Sequence, residues 1–101
     1  IVLLNARPDR PLRSKAFLEW LAISAAPVRV FVCGDPLAVH LGRRAGFGTD
    51  ALTPLRSRQP RDMLRDIAAA VPGGAQIWGI GNFHGVGRAL VDYLKQPEIS
   101  F

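Results

Sequence analysis

Short apolar runs alternate four times with amphipathic stretches along this chain, and the period of each run indicates the element it forms. Residues 1–5 begin with four successive apolar side chains, too uniform for a strand with one wet face, so they predict a strand buried on both sides. Residues 28–33 repeat that pattern with an excess of β-branched side chains. Residues 51–55 predict a weaker strand broken by Pro54, and residues 75–80 a fourth. Between them the period lengthens to that of a helix. Phe17, Leu18 and Leu21 give an inner face to a helix over 14–23, with Ser14 as its cap. Leu37, Leu41 and Ala45 recur at i, i+4 and i+8 in a helix running to Ala45. Asp35 is placed to cap it, Pro36 at its first position and Gly46 at its end. Met63, Leu64, Ile67, Ala68 and Val71 stripe a helix over 60–71. Val86, Leu90, Val91 and Leu94 do the same over 85–95.

The order βαβαβαβα predicts an α/β fold: three layers, with a mostly parallel twisted sheet of about four strands and helices on both faces. Residues 7–13 form a loop punctuated by Pro8 and Pro11. Pro27 ends the first helical connection, and Pro72-Gly73-Gly74 makes a turn. Residues 1–95 are expected to form one domain, followed by a short tail at 96–101. Trp20, Trp78, Phe17 and Phe31 fall at positions compatible with a core.

Composition narrows the picture. An apolar fraction of 49% argues for a packed globule. No run of about 18 apolar residues offers a membrane span. The single cysteine, Cys33, has no internal disulfide partner, which is compatible with a reducing compartment. An apolar strand at the very start, with neither Met nor leader before it, is expected of a piece of a longer protein. The net charge of +5 is carried mainly by arginine, in one cluster of Arg7, Arg10, Arg13 and Lys15 and a second of Arg56, Arg58, Arg61 and Arg65. Such clusters attract phosphates, carboxylates or nucleic acid.

Ligands of open parallel sheets bind outside the carboxyl ends of the strands. Three segments reach that edge. Asn5-Ala6-Arg7-Pro8-Asp9-Arg10-Pro11 places two guanidiniums, a carboxylate and an amide after a strand. Its arginines can fork onto carboxylate or phosphate oxygens, with Asp9 holding one of them. A plain loop ion pair of Asp9 with Arg10 or Arg13 is the alternative. Gly79-Ile80-Gly81-Asn82-Phe83-His84-Gly85-Val86-Gly87 offers backbone N–H groups and a helix start to an anion, or simply a tight turn. Its spacing is not that of a dinucleotide fingerprint. His84, without a fixed carboxylate partner, reads as an exposed loop residue. In Cys33-Gly34-Asp35, capping accounts for Asp35 and burial for Cys33. The sequence shows no phosphate-binding P-loop and no metal-ligand spacing.

The run V-L-L-N-A-R-P-D-R-P at 2–11 resembles the N-x-R-x-D-R segment of poly-γ-glutamate synthase ligase subunits of the PgsB/CapB type. The run I-W-G-I-G-N-F-H-G-V-G-R-A-L-V-D-Y-L at 77–94 resembles their closing glycine-rich segment and helix. This family is related to the Mur ligases and folylpolyglutamate synthases, so the resemblance implies a Rossmann-like C-terminal domain of an ATP-dependent amide ligase. It implies ATP and Mg²⁺, bound chiefly in a preceding central domain that is not part of this sequence, and an acyl phosphate attacked by the amine of an incoming glutamate. It assigns charge stabilisation and positioning to Arg7, Asp9 and Arg10. Nucleotide or substrate contacts fall to Asn5, Gly79, Gly81, Asn82, Gly85 and Gly87, and no metal ligand is carried over. The implied partners are that central domain, glutamate with the growing polymer, and membrane-bound subunits of a synthase complex at the cytoplasmic side of the membrane. No nucleic acid is expected. The competing reading is a non-catalytic Rossmann-like module whose arginines bind nucleic acid or an acidic polymer. Steep loss of affinity with salt would distinguish nucleic-acid binding.

Overall fold

The computed structural model describes residues 1–7, 9–23, 29–74, 76–81 and 85–96. Four strands and four helices alternate through them: β1 (Val2–Ala6), α1 (Pro11–Ala22), β2 (Val30–Gly34), α2 (Leu37–Arg44), β3 (Leu52–Pro54), α3 (Pro60–Ala70), β4 (Trp78–Gly81) and α4 (Val86–Leu94). All strands are parallel, in the order β3-β2-β1-β4. This is the three-layer, doubly wound arrangement the alternation predicts. Val28, Pro27 and Ala75 lie outside the described residues.

The two faces of β1 and β2 build two cores. Val2, Leu4, Ala6, Val30 and Val32 pack with Leu18 and Leu21 of α1, Ala38 of α2 and Leu52 of β3. Leu3, Phe31 and Cys33 pack on the other face with Met63, Leu64 and Ile67 of α3 and Leu90 of α4. Every residue of β1 is buried, as its uniform apolarity requires. Arg29, just before β2, donates to the Ala70 carbonyl at 2.9 Å and pins the end of α3. Among the described residues no helix is long and apolar enough to cross a membrane.

Several local expectations are corrected. Helix α1 begins at Pro11 instead of at a Ser14 cap. Proline's fixed φ suits the first turn, where no donor is needed, and Ser14 lies buried inside the helix with its N–H toward the Arg10 carbonyl. Helix α2 turns a partly different face inward: Ala38 and Gly42 are buried and Leu41 packs against the core as expected, while Leu37 is 49% exposed. The cause is close approach, since a Cβ on Gly42 would stand 3.0 Å from both terminal methyls of Leu52. The helix begins at Leu37 with Pro36 at its N-cap, one residue later than expected, and the Asp35 side chain still reaches its first turn. Asp35 Oδ1 accepts from the Leu37 N–H at 3.1 Å. At the other end Gly46 (φ +112°) donates to the Arg43 carbonyl and Phe47 to the Gly42 carbonyl. That reverse turn needs the left-handed conformation only glycine adopts cheaply.

Trp20 and Trp78 are exposed, at 65% and 67%, not core residues. Trp78 lies on an edge strand, which has no neighbour to cover its outer side. Ala68 is exposed and Leu94 largely so, while Tyr93 packs against the core instead. Strand β3 shrinks to three residues, and Pro54 is tolerated there because β3 is the other edge.

Candidate functional site

The chain steps from β1 to β2 to β3 in one direction, then returns to place β4 on the far side of β1. Strand order therefore reverses between β1 and β4. In an open parallel sheet that reversal parts the connecting loops at the carboxyl edge and leaves a crevice there. Both sequence motifs end at this crevice, with Asn5 of β1 in register with Gly81 of β4. Gly81 has φ +101°, and a Cβ on it would overlap the Asn5 carbonyl oxygen. Only glycine lets the two strand ends come together here.

Arg7 leaves the end of β1 with its guanidinium fixed. Its Nε donates to Asp9 Oδ1 at 2.7 Å and its Nη2 to Asp9 Oδ2 at 2.6 Å, a two-pronged pair. The hydrogen bond from Arg7 holds the Asp9 carboxyl below the usual carboxylate range, and the Arg10 charge adds to this. Asp9 thus pairs with Arg7, not with Arg10 or Arg13. Its role in the geometry is to orient Arg7, and it does not itself line the crevice. Arg10 forms the start of α1, and among the described residues its guanidinium has no ion-pair partner.

Two spaces flank the junction of β1 and β4. A notch of about 10 Å³ is lined by Asn5, Arg7, Arg10, Arg13, Phe17 and Gly81, among others, room for no more than about one water. A groove of about 180 Å³ opens on the α4 side, along Asn5, Cys33, Gly79, Gly81 and Gly87. Asn5 and Gly81 border both. The guanidiniums thus open onto the notch and Gly79 and Gly87 onto the groove, two spaces that adjoin at Asn5 and Gly81. Gly85, exposed before α4, lines neither. Asn82, Phe83 and His84 lie outside the described residues.

Cys33 borders the groove but is a poor nucleophile. Burial pushes its thiol from 9.0 up to about 11, and its Sγ approaches Asn5 Oδ1 at 3.7 Å, the neutral thiol being the donor. The folded chain holds this proton more tightly than the unfolded one. The resulting contribution to stability is complete below pH 9.0 and lost as pH rises through about 11. At pH 8, alkylation of Cys33 is expected to be slow in native protein and rapid in denaturant. Equal rates in both would contradict its burial.

Sequence reading missed a larger space at the same edge. A cleft of about 450 Å³ lies over the ends of β2 and β3, lined by residues including Cys33, Asp35, Leu55, Arg56, Ser57 and Arg58. The available signal was the pair Arg56 and Arg58 directly after a strand. It was obscured because Pro54 weakened that strand. Among the described residues no group of three His, Cys, Asp or Glu side chains could hold a metal ion. The guanidiniums of Arg7 and Arg10 suit phosphate oxygens.

Comparison with curated proteins and with solved structures found no match. A family model, described as the poly-gamma-glutamate synthase CapB C-terminal domain, matches residues 1–97. That span takes in all four strand–helix units and both motifs at the crevice. The parallel sheet between two helical layers agrees with a Rossmann-like fold of the Mur ligase C-terminal type. The chain belongs to the family of poly-γ-glutamate synthase CapB C-terminal domains.

Proposed function

We propose that this chain is the part of an ATP-dependent amide ligase that closes over ATP and the acyl phosphate during γ-glutamyl chain extension. The observation that carries this reading is a pre-oriented arginine at the switch point: Arg7, locked by Asp9, beside Arg10 and the β4 end. Family membership supports the ligase class of the complete protein.

In this reading ATP, when bound, supplies the phosphoryl group. The preceding central domain implied by the family would supply the main nucleotide and Mg²⁺ site. A glutamate carboxylate oxygen takes the phosphoryl group, with ADP as the leaving group. The neutral amine of the incoming glutamate then attacks the acyl carbon: the carbon–nitrogen bond forms, the carbon–oxygen bond breaks with its electron pair leaving on phosphate, and the nitrogen's proton passes to solvent. Charge on the phosphoryl oxygens grows through these steps. Guanidiniums already aimed at them stabilise that charge without reorganising, and domain closure excludes water. Asn5, Gly79, Gly81 and Gly87 line the adjoining groove, where backbone can approach substrate. We assign Asn82 and Gly85 to the same loop on the motif alone. Work beside membrane-bound synthase subunits, on the cytoplasmic side, belongs to this proposal.

Arg7→Ala and Arg10→Ala in the complete enzyme are expected to lower turnover on the order of a hundredfold, as removal of one pre-aimed donor typically does. Thermal melting should be little changed, since both side chains project from a surface loop. Wild-type turnover in both variants would remove the proposed role of this loop.

A further inference from the structure

We propose that the cleft over β2 and β3 is a carboxylate-binding subsite that holds the growing γ-glutamyl chain through Arg56 and Arg58. The inference rests on the ligase reading above for the identity of the chain, and on a separate space for its geometry. At about 450 Å³ this cleft is far roomier than the notch at Arg7. Its loop is held in shape from both sides. Leu55 is buried and donates its N–H to the Val32 carbonyl at 2.8 Å, and the Ser57 hydroxyl accepts from the Gln59 N–H at 3.1 Å.

The charge balance of the cleft favours an anion. Arg56 and Arg58 are exposed, and among the described residues neither has an ion-pair partner, whereas Arg65 and Arg88 are paired along their own helices. The single carboxylate in the lining, Asp35, is buried and accepts from the Leu37 N–H. Two guanidiniums on a short loop match two oxyanions better than one small ion.

Continuity with the crevice points to an extended ligand. Cys33 borders both this cleft and the groove that Asn5 and Gly81 line. A ligand taking the path along the carboxyl edge from β4 over β1 and β2 to β3 would meet both spaces. Three strand spacings make that path about 14 Å long. A γ-linked glutamate chain consumes its side-chain carboxyls in amide bonds and leaves one α-carboxylate free on every residue. It is a flexible polyanion. With its reacting end beside Arg7, such a chain would lay earlier α-carboxylates at Arg56 and Arg58.

The test uses the complete synthase, wild type and Arg56→Gln/Arg58→Gln, with a fluorescent oligo-γ-glutamate as probe. Its dissociation constant should rise about tenfold or more in the variant, the loss of a charge-assisted hydrogen bond or two. The KM for oligo-γ-glutamate should rise with it, while the KM values for ATP and for free glutamate stay at wild type. Arg56→Lys/Arg58→Lys should recover part of the affinity. Unchanged probe binding would overturn the proposal, as would absence of binding to wild type, or a rise confined to the KM of ATP or of free glutamate. A melting curve like wild type is expected, because both side chains are exposed. If it falls instead, the single variants Arg56→Gln and Arg58→Gln, each read by probe binding, decide in the same way. Failure of the ligase reading would look different: no glutamate-dependent ADP release by wild type, whatever the probe does.

Discussion

Phe31→Ala is expected to destabilise the fold by about 3–5 kcal/mol, the usual cost of emptying a packed aromatic site. Phe31 is 1% exposed on β2, an interior strand, and its ring packs in the core beneath α3 and α4. The Arg29 guanidinium sits 5.1 Å from the ring centroid, so the substitution also removes a cation–π partner. Against a total stability of about 5–15 kcal/mol, this loss removes a large part of the margin. Chemical denaturation monitored by Trp fluorescence or circular dichroism measures it. Trp20→Ala, at a site 65% exposed, should stay within about 0.5 kcal/mol and serves as the contrast. A Phe31→Ala loss no larger than that of Trp20→Ala would contradict the second core.

The next largest effect is expected from Gly81→Ala. Alanine there must adopt φ near +101° and bring its Cβ onto the Asn5 carbonyl, so β4 has to shift away from β1. The strain alone is about 1–3 kcal/mol, and displacement of the strand end adds to it. Turnover of the complete enzyme should fall as well, because the movement occurs at the switch point. Gly79→Ala, two residues away, isolates function from stability. Among the described residues no atom outside its chain neighbours lies within 4 Å of a Cβ at Gly79, so its stability should change by less than about 0.5 kcal/mol. If substrate passes close to that backbone, Gly79→Ala lowers turnover in a fully stable protein. Wild-type turnover would remove Gly79 from the binding groove, and equal stability of the two variants would contradict the close approach at Gly81.

The first loop stood out as a candidate site because arginines, an aspartate and an amide immediately after a buried strand have few structural uses in common. What the sequence left open was the pairing. Asp9 had three arginines within reach along the chain, and only the loop's path selects Arg7. The cleft at Arg56 and Arg58 was not legible for a related reason: the arginine cluster and Cys33-Gly34-Asp35 each stood out in the sequence, but only the pairing of β2 with β3 brings their ends together. Trp78 was misplaced because a strand's own pattern does not say whether it has neighbours on both sides.

The order of elements, the burial of β1 and β2 and the caps at Asp35 and Gly46 were decided locally. They depend on side-chain period and backbone torsions, which a few neighbouring residues determine. Strand order was decided by the tertiary structure alone, and with it the placing of β4 beside β1, the inward turn of Ala38 and Gly42, and the meeting of Asn5 with Gly81 at the strand ends. Those features arise when helices choose which face of the sheet to cover, and that choice minimises exposed apolar surface over the whole molecule, not along any one segment.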